Sequence, residues 1–224
     1  MPQGLFVSMD GLDGCGKSTQ VKNLADRLGA LGIKTTTCVD PGGTEIGKML
    51  REILLHHKTH IATRCEALLF MASRAQLVDQ VILPALGNGE VVISDRYLFA
   101  NIVYQGYAGG LDPDQIWQTG MLSTAGLIPD ITFLLDLPVS VSRQRVGKPS
   151  DRMEQRSEEY FEKVRQGFLT EAKVGRQKIK VLDALLPASI VGDLIFAAVK
   201  DLLEKVTPIE RMIRLSEKII VEED

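Results

Sequence analysis

Apolar residues recur along this chain in two rhythms. Short, mainly apolar runs (LFVSM at 5–9, VVIS at 91–94 and ITFLLD at 131–136) have the length of strands buried on both faces, and IKVLD at 179–183 is the last clear strand. IKTTTCV at 33–39 is rich in β-branched residues and predicts another strand. Between the strands the period lengthens. From Lys17 to about Leu31, Val21, Leu24, Leu28 and Leu31 share one face of a helix that Gly32 closes. Helical patterns also cover roughly 45–56 and 61–86. Alternation of this kind predicts an α/β fold: a central parallel sheet of about five strands with helices on both faces. No repeat, low-complexity tract or flexible linker divides the chain, so one domain is expected over 1–206. In the tail, 207–224, Ile209, Met212, Ile213, Ile219 and Ile220 fit helical spacing. That stripe suits packing on its own domain or contact with a partner chain, and local burial is the commoner use.

Composition narrows the class. The 224 residues are 45% hydrophobic and 25% charged, enough for one core without disulfides or structural metal. The net charge of −3 and the lack of basic blocks argue against general binding to nucleic acid. They leave room for arginines gathered around a small phosphorylated ligand. Cys15, Cys38 and Cys65 are scattered and odd in number, as expected for reduced thiols in a cytoplasmic protein. No leader peptide and no apolar run of the ~18 residues needed to span a membrane is visible.

The first chemical signal is MDGLDGCGKSTQ at 9–20. Gly11, four residues, then Gly16-Lys17-Ser18 form a phosphate-binding P-loop, with a strand before it and a helix after it. Glycines let successive N–H groups converge on phosphate oxygens, and the helix adds its positive end. Residues Gly11, Leu12, Asp13, Gly14, Cys15, Gly16, Lys17, Ser18 and Thr19 are therefore candidate ATP contacts. Lys17 would reach the β- and γ-phosphates, and Ser18 would ligate Mg²⁺. VVISD delivers Asp95 at a strand end, the usual place for a second group that holds Mg²⁺. Cys15 has no redox partner and reads as a filler of a variable position. His56 and His60 in HHKTH are i, i+4, but no Cys or carboxylate follows at metal-ligand spacing, so exposed histidines at a helix end are the simpler reading.

A P-loop does not name an acceptor. In doubly wound sheets the second substrate lies outside the carboxyl ends of the strands. PGGTEIGKMLREIL follows the second strand and carries Pro41 and Arg51 there. LLFMASRAQ sets Phe70 and Arg74 at i and i+4, a ring beside a guanidinium, which suits a planar base. DRYLFANIVYQG places Arg96, Asn101, Tyr104 and Gln105 just beyond Asp95. Taken singly, each residue has an ordinary structural reading: Phe70 as core, the arginines as solvated charges, Tyr104 as a packed ring.

Together these motifs resemble the thymidylate kinases, P-loop enzymes that pass the γ-phosphate of ATP to dTMP. DGLDGCGKST, DPGGTEIGKMLR, LLFMASR, DRYLFANIVYQG, LDLPVSVSRQR with DRME, and VLDA occur in family order from about residue 5 to 205. The resemblance implies a P-loop NTPase three-layer sandwich and a homodimer. It implies that Asp13 faces the dTMP sugar, that Phe70 stacks on thymine and Arg74 bonds its O4. Arg51 and Arg96 would hold the dTMP phosphate, Tyr104 would crowd the sugar's 2′ position, and Asn101 and Gln105 would line the base pocket. RQRVGKPSDR resembles the family's lid, at about 143–153. Its Arg143, Arg145, Lys148 and Arg152 are basic, and Arg145 and Arg152 are the best candidates for a catalytic arginine. Four residues depart from the family pattern: Asp10 in place of Glu, Val39-Asp40 in place of Arg-Glu, and Ala100 in place of Ser. The alternatives are a kinase of another nucleotide or nucleoside, and a non-catalytic nucleotide switch.

Overall fold

The computed structural model describes residues 4–148 and 151–205. The expected tail helix over 207–224 lies outside them, as do Pro149 and Ser150 of the lid segment. Five strands, β1 (Leu5–Asp10), β2 (Thr35–Val39), β3 (Val91–Asp95), β4 (Ile131–Asp136) and β5 (Ile179–Asp183), form one sheet in the order β2-β3-β1-β4-β5. Every pairing is parallel. β1 is buried along its whole length. Its alternate residues face opposite layers, which is why an apolar run rather than an alternating pattern announced it.

Leu5, Val7 and Met9 pack with Val21, Leu24 and Leu28 of α1 (Lys17–Ala30) and Val191, Ile195 and Val199 of α9 (Ala188–Lys205). Phe6 and Val92 point to the other layer, against α3 (Thr63–Leu77). A third cluster joins Leu12, Phe99, Val103 and Leu134 to Phe161, Val164 and Phe168 of α8 (Glu158–Val174). On that layer the Ser8 and Thr132 hydroxyls satisfy each other at 2.7 Å, as buried polar groups must.

Two boundaries differ from expectation. Leu31 is 58% exposed rather than part of the α1 stripe, because α1 ends at Ala30 and Leu31 is its C-cap. The pattern over 61–86 is not one α-helix. α3 runs into a π-helical turn at Val78–Ile82 and then a short α4 (Leu83–Gly87) that carries Pro84 in its first turn. Proline lacks the N–H that an uninterrupted helix needs there. A second π-turn, Ile102–Tyr107, follows the short α5 (Leu98–Asn101). The remaining helices are α2 (Glu45–His56), α6 (Pro113–Ser123) and α7 (Val139–Val146). α2 starts where the Thr44 side chain accepts from Gly47 N at 2.9 Å. Parallel register brings Met9, Val39 and Asp95 level, so β1, β2 and β3 end together and their loops share one rim.

Candidate active site

From Asp10 the chain turns through the glycines of the P-loop into α1. At Gly11, φ is 138°, and a Cβ would meet the Leu135 carbonyl oxygen at 2.5 Å, so only glycine fits. Gly14, at φ 74°, lets α7 approach: a Cβ there would lie 3.0 Å from that of Arg145. Gly16 caps α1 without a side-chain hydrogen bond, which leaves the first-turn N–H groups for an anion. The Lys17 ammonium donates to the Leu12 carbonyl at 2.9 Å and to that of Gly11 at 3.3 Å. Leu12 and Cys15 are core side chains, so what they offer a ligand is backbone.

Asp13 sits between two cations. Arg96 Nη2 donates to its Oδ1 at 2.6 Å, and Lys17 Nζ lies 3.6 Å away. Burial alone would raise the carboxyl, but these two charges and their hydrogen bonds outweigh it and hold Asp13 at about 2. A carboxylate in this loop thus fixes the positions of Lys17 and Arg96. Arg96 also donates to the Gly11 carbonyl at 2.9 Å. Its own backbone is left-handed, φ 70°, a conformation that costs a non-glycine residue of order 1 kcal/mol. Two bonds hold it: Arg96 N to the Met9 carbonyl at 2.9 Å, and Ser94 Oγ to the Arg96 carbonyl at 2.6 Å.

These groups open on a cavity of about 660 Å³. The expected residues Asp13, Gly14, Gly16, Lys17, Ser18, Thr19, Pro41, Arg51, Phe70, Arg74, Asp95, Arg96, Asn101, Tyr104, Gln105 and Arg145 all line it. Arg51 is aimed by its bond to the Pro41 carbonyl, 2.8 Å. Arg74 is 2% exposed, donating to Asp40 Oδ2 at 2.5 Å and to Asn101 Oδ1 at 2.9 Å. Phe70, one turn earlier on α3, is half-buried. The Tyr104 hydroxyl is buried with no hydrogen-bond partner, and burial pushes its phenol far above the ordinary range despite the nearby Arg96 charge.

The lid residues divide. Arg145 faces the cavity, within 3.3 Å of the Gly14 carbonyl. Arg152, expected to reach the phosphates, does not line the cavity: its guanidinium bonds the Leu54 carbonyl at 2.5 Å and the Glu66 carboxylate. Arg143 donates instead to the Glu154 and Arg156 carbonyls, 3.0 and 3.2 Å. Lys148 is exposed. Asp40 and Glu66 are the charged residues that sequence reasoning missed. Asp40 stood out only as a departure. Glu66 had a signal, since it lies four residues before Phe70 and eight before Arg74 on α3.

The profile of the thymidylate kinase family matches residues 9–195. The chain belongs to the thymidylate kinase family. It is 45% identical over 181 residues to the thymidylate kinase of Rhodopirellula baltica, covering 81% of this chain and 74% of that one. It is 40% identical over 203 residues to that of Caldanaerobacter subterraneus subsp. tengcongensis, 90% of this chain and 98% of the relative. For Bifidobacterium longum the identity is 42% over 203 residues, with 89% and 98% covered. The matched region includes the P-loop and every cavity-lining residue named above.

Kinases of this family act with ATP and typically a divalent metal. Ser18 Oγ donates to Asp95 Oδ2 at 2.7 Å, so a hydroxyl and a carboxylate oxygen already stand together. Hard oxygen donors fit Mg²⁺. Among the described residues no cluster of three or more His, Cys, Asp or Glu could hold a metal, so phosphate oxygens and water would have to complete its shell.

Asp10, the last residue of β1, is fully buried beneath the P-loop and does not line the cavity, and its two carboxyl oxygens have no partners. Burial raises it to about 8, although Arg96 and Lys17 pull the other way. The folded protein therefore keeps a proton there that the unfolded chain has released. This contribution to stability is complete below about pH 4 and lost as pH rises to about 8. Asp10→Asn removes it. In denaturant titrations of nucleotide-free protein, the variant should gain about 1–3 kcal/mol on the wild type between pH 5 and pH 9. A difference that stays constant with pH would mean that Asp10 does not titrate in this range.

Proposed function

We propose that this cavity is where the γ-phosphate of ATP passes to dTMP, giving dTDP and ADP. The observation that carries the reading is the joining of two chemistries in one cavity. The P-loop supplies Lys17 and Ser18. Phe70, Arg74, Asn101, Tyr104 and Gln105 supply a ring, fixed hydrogen-bond donors and acceptors, and a buried hydroxyl that lacks a partner. A nucleotide switch needs only the first set.

ATP lies along Gly11 to Thr19, with its β- and γ-phosphates at Lys17 and the N-terminus of α1. Ser18 and Asp95 would hold Mg²⁺, which would supply positive charge to offset that of the phosphates. The thymine stacks on Phe70 and meets Arg74, Asn101 and Gln105. Tyr104 stands beside the sugar, and Arg51 and Arg96 hold the monophosphate next to Pro41. An oxygen of that phosphate attacks the γ-phosphorus, the bond to the β,γ-bridging oxygen breaks, and ADP departs. No general base is needed, because a phosphate monoester is largely dianionic at pH 7. Lys17, Arg96 and Arg145 stabilise the charge in flight, and Asp13 orients Lys17 and Arg96. Arg152 acts at the foot of the lid rather than on the phosphates.

Further elements of the reading are a cytoplasmic homodimer without nucleic-acid partners. Ile46, Met49 and Ile53 share a face of α2 and are 50%, 63% and 40% exposed, an apolar surface suited to a second copy. No helix among the described residues is long and apolar enough to cross a membrane.

ADP release with Mg·ATP, measured with dTMP, dUMP, UMP, dCMP or no acceptor, tests the reaction. Release should depend on dTMP, with dTDP recovered by chromatography. Equal release without acceptor would overturn the acceptor site, and preference for another monophosphate would reassign it.

A further inference from the structure

Two amide side chains line the base end of the cavity, and each is locked in one orientation. Asn101 accepts from Arg74 Nη1 through Oδ1 at 2.9 Å and donates through Nδ2 to Gln105 Oε1 at 2.7 Å. Gln105 then donates through Nε2 to Glu66 Oε1 at 2.8 Å. All four side chains are at most 2% exposed. The direction of this chain is set by its ends. A guanidinium can only donate, and a carboxylate free of its proton only accepts. With Arg74 at one end, Asn101 must turn its oxygen there and its nitrogen to Gln105. Gln105 must then turn its oxygen to Asn101 and its nitrogen outward, toward an acceptor. Glu66 is that acceptor.

Glu66 does not line the cavity. Its other contacts face away from it: Arg152 on Oε2, and Arg156 Nη2 at 3.1 Å from Oε2 and 3.3 Å from Oε1. Donors therefore approach Glu66 from both sides. A neutral glutamine has one oxygen and one NH₂, so it can turn an acceptor toward Gln105 or toward Arg152 but not toward both. Either Arg152 loses its acceptor, or Gln105 meets a donor and turns over. If it turns, it opposes Asn101 Nδ2, and one donor–donor contact remains somewhere along the line.

We propose that Glu66 is a positioning residue for base specificity: from outside the cavity it fixes which atoms Gln105 and Asn101 present to the nucleobase. The inference rests on the reading of this cavity as the thymine pocket. Thymine offers a carbonyl oxygen at C4 where cytosine offers an amino group, so an amide that turns over exchanges one preference for the other.

The test is Glu66→Gln, assayed with ATP and either dTMP or dCMP. The KM for dTMP should rise about tenfold, as for loss of a buried charge-assisted bond. The KM for ATP should stay within about twofold, since no ATP contact depends on Glu66. The ratio of kcat/KM for dTMP over dCMP should narrow by about tenfold or more, a change that general loosening of the fold would not produce. An unchanged ratio, or equal rises in both KM values, overturns the proposal. The double variant Glu66→Gln/Gln105→Glu supplies a second measurement. There the amide introduced at position 66 can accept from the arginines and donate to the carboxylate introduced at position 105. That carboxylate also accepts from Asn101, so the line of bonds from Arg74 to Arg152 is complete again, and only the 3.3 Å approach of Arg156 to the Oε1 position is lost. The Tm of the double variant should recover at least half of the drop caused by Glu66→Gln, or, if the single variant does not fold, the double variant should fold. Failure to recover overturns the proposal. Failure of the wild type to prefer dTMP would instead sink the pocket reading itself.

Discussion

Lys17→Ala should lower kcat by about two to three orders of magnitude and leave the fold in place. In the proposed reaction Lys17 is the P-loop cation that meets the β- and γ-phosphates, and removal of a single preorganised group that stabilises transition-state charge costs roughly 10²–10³ in rate. The structural loss is smaller. The ammonium bonds two loop carbonyls, at 2.9 and 3.3 Å, and stands 3.6 Å from an Asp13 side chain that is 35% exposed. Lys17 is itself buried, so deleting its ammonium leaves the two loop carbonyls without that donor, a loss of about 1–3 kcal/mol. Asp13 also retains Arg96 at 2.6 Å. The comparison to make is single-turnover transfer to dTMP beside the Tm of each protein. Near-normal turnover would remove Lys17 from the mechanism. A collapsed Tm would make its role structural.

Arg74→Ala should abolish most use of dTMP and also destabilise the protein by about 3–5 kcal/mol. The second effect follows from Asp40, which is 2% exposed and has Arg74 as its ion-pair partner at 2.5 Å. Deleting one member of a buried pair strands the other charge, which is the costly case for such pairs. Asp40 Oδ1 already lacks a hydrogen bond, and burial raises this carboxyl even against the pull of Arg74. Asp40→Asn/Arg74→Ala removes the stranded charge. The double variant should regain much of the lost stability but none of the dTMP use, while the KM for ATP stays close to that of the wild type. Recovery of dTMP turnover along with stability would show that Arg74 only supports the fold. Paired denaturation and kinetic measurements separate the two roles.

Much of this could be read from the chain because the information is local. Three of the strands are mainly apolar runs, and the P-loop is written in eight consecutive positions, 11–18. Glycine at 11 and 16 is demanded by backbone angles of 138° and 99°, at the two positions where the motif requires it. Helix boundaries were harder. Leu31 fits the α1 period yet is 58% exposed, because period alone does not say where a helix stops. The π-turn at Val78–Ile82 kept enough helical spacing to pass as one element over 61–86.

By itself, the sequence determined an α/β sheet, a P-loop at the end of its first strand, and the placement of Phe70 and Arg74 one turn apart on a helix. These rest on residues within one or two turns of each other. Only the tertiary structure decided the partners. Arg74 meets Asp40 across 34 positions, and Arg152 meets Glu66 across 86, which takes Arg152 off the phosphates and leaves Arg145 at the cavity. The physical reason is that a buried charge is tolerated only beside its counter-charge. Which counter-charge is available depends on which strand ends and helix faces the parallel sheet brings to one rim, and no spacing along the chain encodes that.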